Sequence, residues 1–364
     1  MGVLRYLLAL SVVIAHSTSV FGITLVGGYM AVQIFFIISG FYMAMVLNEK
    51  YNSRDYFLFI SNRALRIYPI YWVVLILTLI LSMFSGLLFD NWGKLTYFLD
   101  YWEYMSFTAI FFQVMSNIII FGQDIMMFTG YSLESESLYF TQDFRLTNPP
   151  LYKFLVIPQA WTLSLELMFY LIAPFIVRRG IPSIILMILL GFIVRFAVIF
   201  TVDNYQDPWT YRFFPSELSL FFLGVLSFKI KKILLTPRKS VLNAALFFYS
   251  LLIIFFGNLN GYFFGNLGGW FLYLCTVLLL PWLFQVSKKS KIDSMIGELS
   301  YPVYISHMLI VGGSALILRD FQGESYLSLL YIIIVTVFSS LLIKYVSNPI
   351  DIYRRNRVLE RHGL

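Results

Sequence analysis

Residues 68–89 read YPIYWVVLILTLILSMFSGLLF, a run without one charged side chain. Coiled as an α-helix at about 1.5 Å per residue, it is about 33 Å long, more than the roughly 30 Å hydrocarbon core of a bilayer. The run from Tyr326 to Tyr345 has the same character, and similar stretches recur on either side of both. Spans are expected at about residues 4–21, 29–48, 68–89, 161–177, 181–201, 213–228, 240–257, 268–286, 297–317 and 326–346. The chain is 59% hydrophobic and 12% charged, whereas a soluble domain is about half apolar and a quarter charged. Its 37 Phe and 25 Tyr suit lipid-facing surfaces and interfacial belts. The expected fold class is all-α, a polytopic membrane helical bundle of about ten transmembrane helices. Residues 1–350 read as one transmembrane domain and residues 351–364 as a short basic cytoplasmic tail, with no internal repeat.

With the N-terminus placed in the cytoplasm, the loops sort by charge. Lys94, Arg145, Lys153, Arg212 and Arg319 fall on the outer side and Arg195 falls inside a span. The other 20 of the 26 Lys and Arg, from Arg5 to the cluster that includes Lys232 and on to Arg361, lie on the inner side. Such an excess is the positive-inside asymmetry, and it places both termini in the cytoplasm. It also decides Phe107 to Phe121, which is apolar but only about 15 residues long. Counting it as a crossing turns Arg178, Arg179 and every later basic loop outward. It is therefore expected as one short re-entrant or interfacial segment. The stretch from about Asp90 to Gln159 becomes a large outer loop, rich in acids and too rich in Trp and Tyr for a linker. The first apolar run lacks a small-x-small cleavage site and is expected to stay as the first span.

The same inventory removes several chemistries. A single cysteine, Cys275, cannot close an intrachain disulfide and lies in an apolar run, where it reads as a packing residue. Three histidines and one cysteine leave no zinc-ligand cluster, so no metal site is expected. The net charge of +7 is scattered over short loops rather than gathered on one face, so nucleic acid is not an expected partner.

Ionisable groups inside spans are costly, which makes them functional candidates. Here they are His16, Glu166 and Arg195, with Arg5, Glu217 and His307 near span ends. Arg5 and His16 are eleven residues apart, about three helical turns, so both fall on one face with about 16 Å between them along the axis. Arg63 and Arg66 share a face at i, i+3 before the third span, and paired guanidinium groups grip phosphate bidentately. The same arginines also serve as topology anchors against lipid headgroups, and His16 also fits a bond to a neighbouring helix. Glu166 stands about five residues into the fourth span and needs a partner there. Gly27, Gly28 and Gly40 permit close helix approach. Arginines on one side, a histidine midway and a carboxylate on the other side suit a transporter as well as an enzyme.

Six segments add a signal through their order: LRYLLALSVVIAH (4–16), GGYMAVQIFFIISGFYM (27–43), NRALRIYPIYW (62–72), AWTLSLELMFYLIAPF (160–175), FFLGVLSF (221–228) and LSYPVYISHMLI (299–310). Together they resemble the acyltransferase-3 family, membrane O-acyltransferases best known for acetylating bacterial surface glycans. The resemblance runs from about Leu4 to the last span. It implies transfer of an acyl group, most commonly acetyl, from cytoplasmic acyl-CoA to a hydroxyl of a cell-surface glycan such as lipopolysaccharide O-antigen. The location it implies is the bacterial cytoplasmic (inner) membrane. Residue by residue, it implies that Arg5, Arg63 and Arg66 serve the acetyl-CoA donor, and that His16 and Glu166 are catalytic. His307 matches a family histidine of structural role. The implied partners are acyl-CoA, a lipid-linked or surface carbohydrate acceptor and membrane lipids; acetyl-CoA is a substrate, and no permanently bound cofactor is expected. The chain departs from the family pattern at Thr162, where Ser is usual, at Met30 and Ala31, and at Leu167, where a second Glu is common. The esterase-like domain that some relatives carry is not expected here, so transfer is expected to be completed within the membrane domain or by a separate protein. The competing class is a carrier or flippase that moves acyl groups or glycans without forming a bond.

Overall fold

The apolar runs fold as helices in the computed structural model, which describes residues 1–203, 205–231, 237–259, 267–314 and 324–362. In chain order these are α1 (Gly2–Ala15), α2 (Gly28–Glu49), α3 (Tyr56–Phe89), α4 (Thr96–Tyr101), α5 (Phe107–Ile119), α6 (Trp161–Ile176) and α7 (Ile181–Thr201). They continue as α8 (Phe214–Ile230), α9 (Lys239–Leu259), α10 (Gly268–Ser287), α11 (Lys291–Ser314), α12 (Glu324–Leu342) and α13 (Asn348–His362). Among the described residues seven helices are long and apolar enough to cross a membrane: α2, α3, α6, α7, α9, α10 and the run that starts in α12. The other three expected spans fall on α1, α8 and α11, of which α1 and α8 are short, at 14 and 17 residues.

The faces left open are apolar. Ile76, Ile80, Phe84 and Leu87 form an exposed stripe on α3, and Ile185, Leu189, Ile193, Phe196 and Phe200 form one on α7. Such continuous apolar stripes are the surface that lipid, not water, covers. α5 carries the same signature inverted. Gln113, Ser116 and Asn117 are buried while Phe107, Phe111, Ile118 and Ile119 stand outward. Its 13 residues give about 20 Å, short of a full crossing. The chain is an all-α polytopic membrane protein. Its strand among the described residues is one small antiparallel hairpin, β1 (Thr129–Ser132) with β2 (Ser137–Phe140), in register Thr129 to Phe140.

The first span ends earlier than residue 21. α1 stops at Ala15 because the next side chains turn back on the helix. The His16 ring bonds the Val12 carbonyl at 2.9 Å and the Ser17 hydroxyl donates to the Val13 carbonyl at 3.0 Å, a competition that ends helices. Lys232 and Arg319, two residues of the charge argument, lie outside the described residues, as do positions 315–317 of the ninth expected span and the last two residues of the tail.

The chain divides into two compact units. The first holds Met1–Ile70, Ala173–Ile188 and Leu220–Leu364. In it α1 packs against α11 and α2, α11 against α12, and α10 against α2 and α9. Two crossings are too close for any side chain. A Cβ on Gly2 would fall 1.6 Å from the Asp293 carbonyl oxygen. One on Gly40 would fall 1.8 Å from that of Phe221, and one on Gly224 1.8 Å from that of Ile37. Backbone contact of this kind is how helices associate where burial against lipid gives no gain. The basic tail is helical as far as His362 and docks on α3. Arg357 donates to Asn62 and Ser61, both at 2.9 Å, and Arg361 pairs with Asp55 at 3.4 Å.

The second unit holds Tyr71–Ile172 and Leu189–Ser219. The expected large loop folds here around two small cores, Met105, Ala109, Tyr131, Leu151 and Phe154 in one, Met126, Met127, Phe144 and Leu155 in the other. Arg195, the arginine inside a span, pairs with Glu217 at 2.6 Å, both buried. Breaking such a pair leaves an uncompensated buried charge and costs about 3–5 kcal/mol. The ion pair accounts for both residues without a catalytic role.

Candidate active site

The first unit brings His16 together with a residue that the sequence reading left as structural. Asp293 on α11 accepts the main-chain N–H groups of Gly2 and Val3 at 2.7 and 3.0 Å, a carboxylate placed where helix N-termini favour negative charge. From that anchor α1 and α11 run side by side in the same direction. At the far end of α1 the rings of His16 and His307 lie 5.0 Å apart, centre to centre. His16 caps α1 and is exposed, whereas His307 is fully buried.

Their hydrogen bonds fix the tautomers. His16 Nδ1 meets the Val12 carbonyl at 2.9 Å and His307 Nδ1 meets the Tyr304 carbonyl at 2.6 Å. A carbonyl only accepts, so each Nδ1 carries the proton and each neutral ring presents Nε2 as a lone pair. His307 Nε2 is buried with no protein partner among the described residues. The arrangement is two imidazole bases, one open and one buried, at one end of a helix pair.

The arginines gather toward the other end. The Arg5 guanidinium lies over the Tyr42 ring at 5.7 Å, and that of Arg63, largely buried, over the Phe59 ring at 5.6 Å. Arg66 is exposed and lines a cavity of about 40 Å³ with Pro69, Glu298, Tyr301, Pro302, Ser347 and Asp351 among its walls. A proline inside a helix frees the carbonyl four residues before it. Pro69 and Pro302 are both inside helices, so the carbonyls of Leu65 and Glu298, two further wall residues, are released there. The Tyr301 hydroxyl donates to the Ile67 carbonyl at 2.6 Å and fixes α11 against the arginine-bearing turn of α3. From Tyr301 to His307 is six residues of one helix, about 9 Å. α11 thus links the arginine cluster to the histidine pair.

Glu166 belongs to the second unit. It is half-buried and accepts a short hydrogen bond from the Tyr170 hydroxyl one turn on. On the same helix Ser164 donates to Asp124 at 2.6 Å and accepts from the Gly122 N–H at 2.9 Å. Burial pushes the Asp124 carboxyl up to about 6, against the pull of Ser164 and of nearby backbone N–H groups. The sequence offered Asp124 only as one acid of an acidic loop, since nothing local in a sequence pairs it with a serine forty positions later. Arg212 lies over the Trp161 ring at 4.5 Å and pairs with Asp207 at 2.6 Å, which also holds Arg145 at 2.6 Å. The candidate residues therefore divide as His16, Arg5, Arg63 and Arg66 in the first unit and Glu166 in the second.

This is a multispanning membrane protein with an arginine cluster and a histidine pair joined by one helix. Residues 1–345 match the family model described as an acyltransferase domain, and the chain belongs to the acyltransferase-3 family. It is a membrane acyltransferase. No curated protein and no solved structure matches it.

Proposed function

We propose that the protein takes an acetyl group from cytoplasmic acetyl-CoA and places it on a hydroxyl of a surface glycan, such as lipopolysaccharide O-antigen, from the bacterial inner membrane. The observation that carries this reading is the histidine pair. Tying Nδ1 of His16 to a carbonyl holds Nε2 ready to accept a proton, as a general base must be. The donor's phosphates bind Arg63 and Arg66, with Arg5 nearby, through charge-assisted hydrogen bonds. Its thioester reaches the His16 end of α1.

His16 Nε2 then takes the proton of the acceptor hydroxyl while the oxygen attacks the thioester carbonyl carbon. The C–S bond breaks, and the CoA thiolate leaves with the proton that the imidazolium returns. Glu166 serves the acceptor. His307, beside His16, restricts the ring.

A carrier moves its cargo without a covalent change, and needs no base at the end of a binding path. Membranes supplied with acetyl-labelled acetyl-CoA distinguish the two. Label covalently bound to glycan supports the transferase; label that crosses the membrane without becoming attached overturns it.

A further inference from the structure

α13 lies beyond the 345 residues that the family model matches. Four of its residues are arginines: Arg354, Arg355, Arg357 and Arg361. Arg357 is committed to α3 and Arg361 to Asp55 just before it, and they pin the helix beside the turn that carries Arg63 and Arg66. Arg355 is exposed. Arg354 differs from all three. Its side chain is largely buried, and it lies close enough to Arg66 and Arg63 for their like charges to act on it. One of its terminal nitrogens holds the carboxylate of Asp351, a wall residue of the cavity that Arg66 also lines. Its Nε is buried with no partner among the described residues.

Gathering a third guanidinium against two others is unfavourable unless an anion occupies the space between them. The two carboxylates of the cavity wall, Asp351 and Glu298, are fewer than the three positive charges of Arg63, Arg66 and Arg354. The cavity joins Arg66 and Asp351, and about 40 Å³ is several times what one water needs. The five-residue π-helical turn Ile343–Ser347, between α12 and α13, contributes two of its walls; such turns are common at functional sites.

We propose that α13 completes a phosphate-binding site, with Arg354 as the third guanidinium beside Arg63 and Arg66. The ligand class is an organic polyphosphate, and on the reading of function above it is the nucleotide end of CoA. Asp351 is then a resident counter-charge that occupies one terminal nitrogen of Arg354 and competes with the ligand, while Nε is left for it.

CoA binding to the full-length purified protein in nanodiscs of zwitterionic lipid tests this. The loss of one charge-assisted phosphate contact weakens binding by about tenfold. Arg354→Gln is expected to show that loss, and Arg354→Lys an intermediate one because lysine lacks the planar fork. Asp351→Asn is expected to bind CoA at least as tightly as the wild type, since it removes a negative charge from an anion site. If Arg354 only stabilises α13 through its ion pair, Arg354→Gln and Asp351→Asn lose affinity alike, and the proposal is wrong. It is also wrong if Arg354→Gln binds CoA as the wild type does but copurifies with less anionic lipid, since the anion is then a lipid headgroup. A wild type that binds no CoA removes the donor reading itself, and this inference with it. Normal CoA binding by both variants removes only the inference.

Discussion

Two histidines in this protein each spend Nδ1 on a main-chain carbonyl, and their rings stand 5.0 Å apart. His16 was legible in the sequence because an ionisable group in a span is rare and because its spacing from Arg5 places both on one helical face. Its nearness to His307 was not. Helical periodicity ranks neighbours within one helix and is silent about a residue 291 positions away. The buried Asp124 was hidden for the same reason, and it makes a separate prediction. Its carboxyl sits near 6 in the folded protein and near the ordinary 3.9 when unfolded. Between about pH 4 and 6 the folded state holds a proton that the unfolded chain has lost. The stabilisation is complete below about pH 4 and lost as pH rises through 6, a change of about 3 kcal/mol. Asp124→Asn keeps an acceptor for Ser164 and cannot titrate. Thermal unfolding in detergent from pH 4 to 7 is expected to show the wild type losing stability relative to Asp124→Asn. Parallel profiles contradict the assignment.

The helices were the easiest part to read, and their ends the hardest. A 22-residue apolar run is long enough that the bilayer dictates its structure. The end of α1 instead depends on what His16 and Ser17 bond, which is a local contest that hydropathy does not see. The tail was expected as a basic extension, and it is a helix because Ser61 and Asn62 on α3, with Asp55 just before that helix, give its arginines partners. Gly40 was noted for close packing, and its counterpart Gly224 was not. A second glycine becomes meaningful only once α2 and α8 are known to cross. That crossing makes the same substitution act in opposite directions at two sites. Gly40→Ala must push the Phe221 carbonyl away and is expected to lower stability by about 1–3 kcal/mol. Gly312 on α11 has nothing within 4 Å of an added Cβ. Gly312→Ala is expected to be neutral or stabilising by up to about 1 kcal/mol, the difference in helix propensity. Equal unfolding midpoints for the two variants contradict the close crossing.

At the scale of the whole molecule, the distribution of basic residues and the proposed reaction demand the same orientation. On the proposed function the donor's phosphates come from the cytoplasm, and the positive-inside bias predicts the basic tail on that side and the acidic loop around Glu134 outside. A reporter fused after Leu364 is expected to be active only in the cytoplasm, and a tag near Glu134 to be reached by an impermeant reagent from outside. A tag at 134 that is protected until the membrane is opened reverses that topology and makes α5 a true crossing. The central claim is that acyl transfer across this membrane runs through the open imidazole of His16. It is tested most directly by His16→Gln in membranes, with glycan acetylation from labelled acetyl-CoA normalised to inserted protein and CoA binding measured alongside. Removal of a general base is expected to lower acetylation by about a hundredfold or more while CoA binding stays near the wild-type value. Near-wild-type acetylation by well-inserted His16→Gln contradicts it.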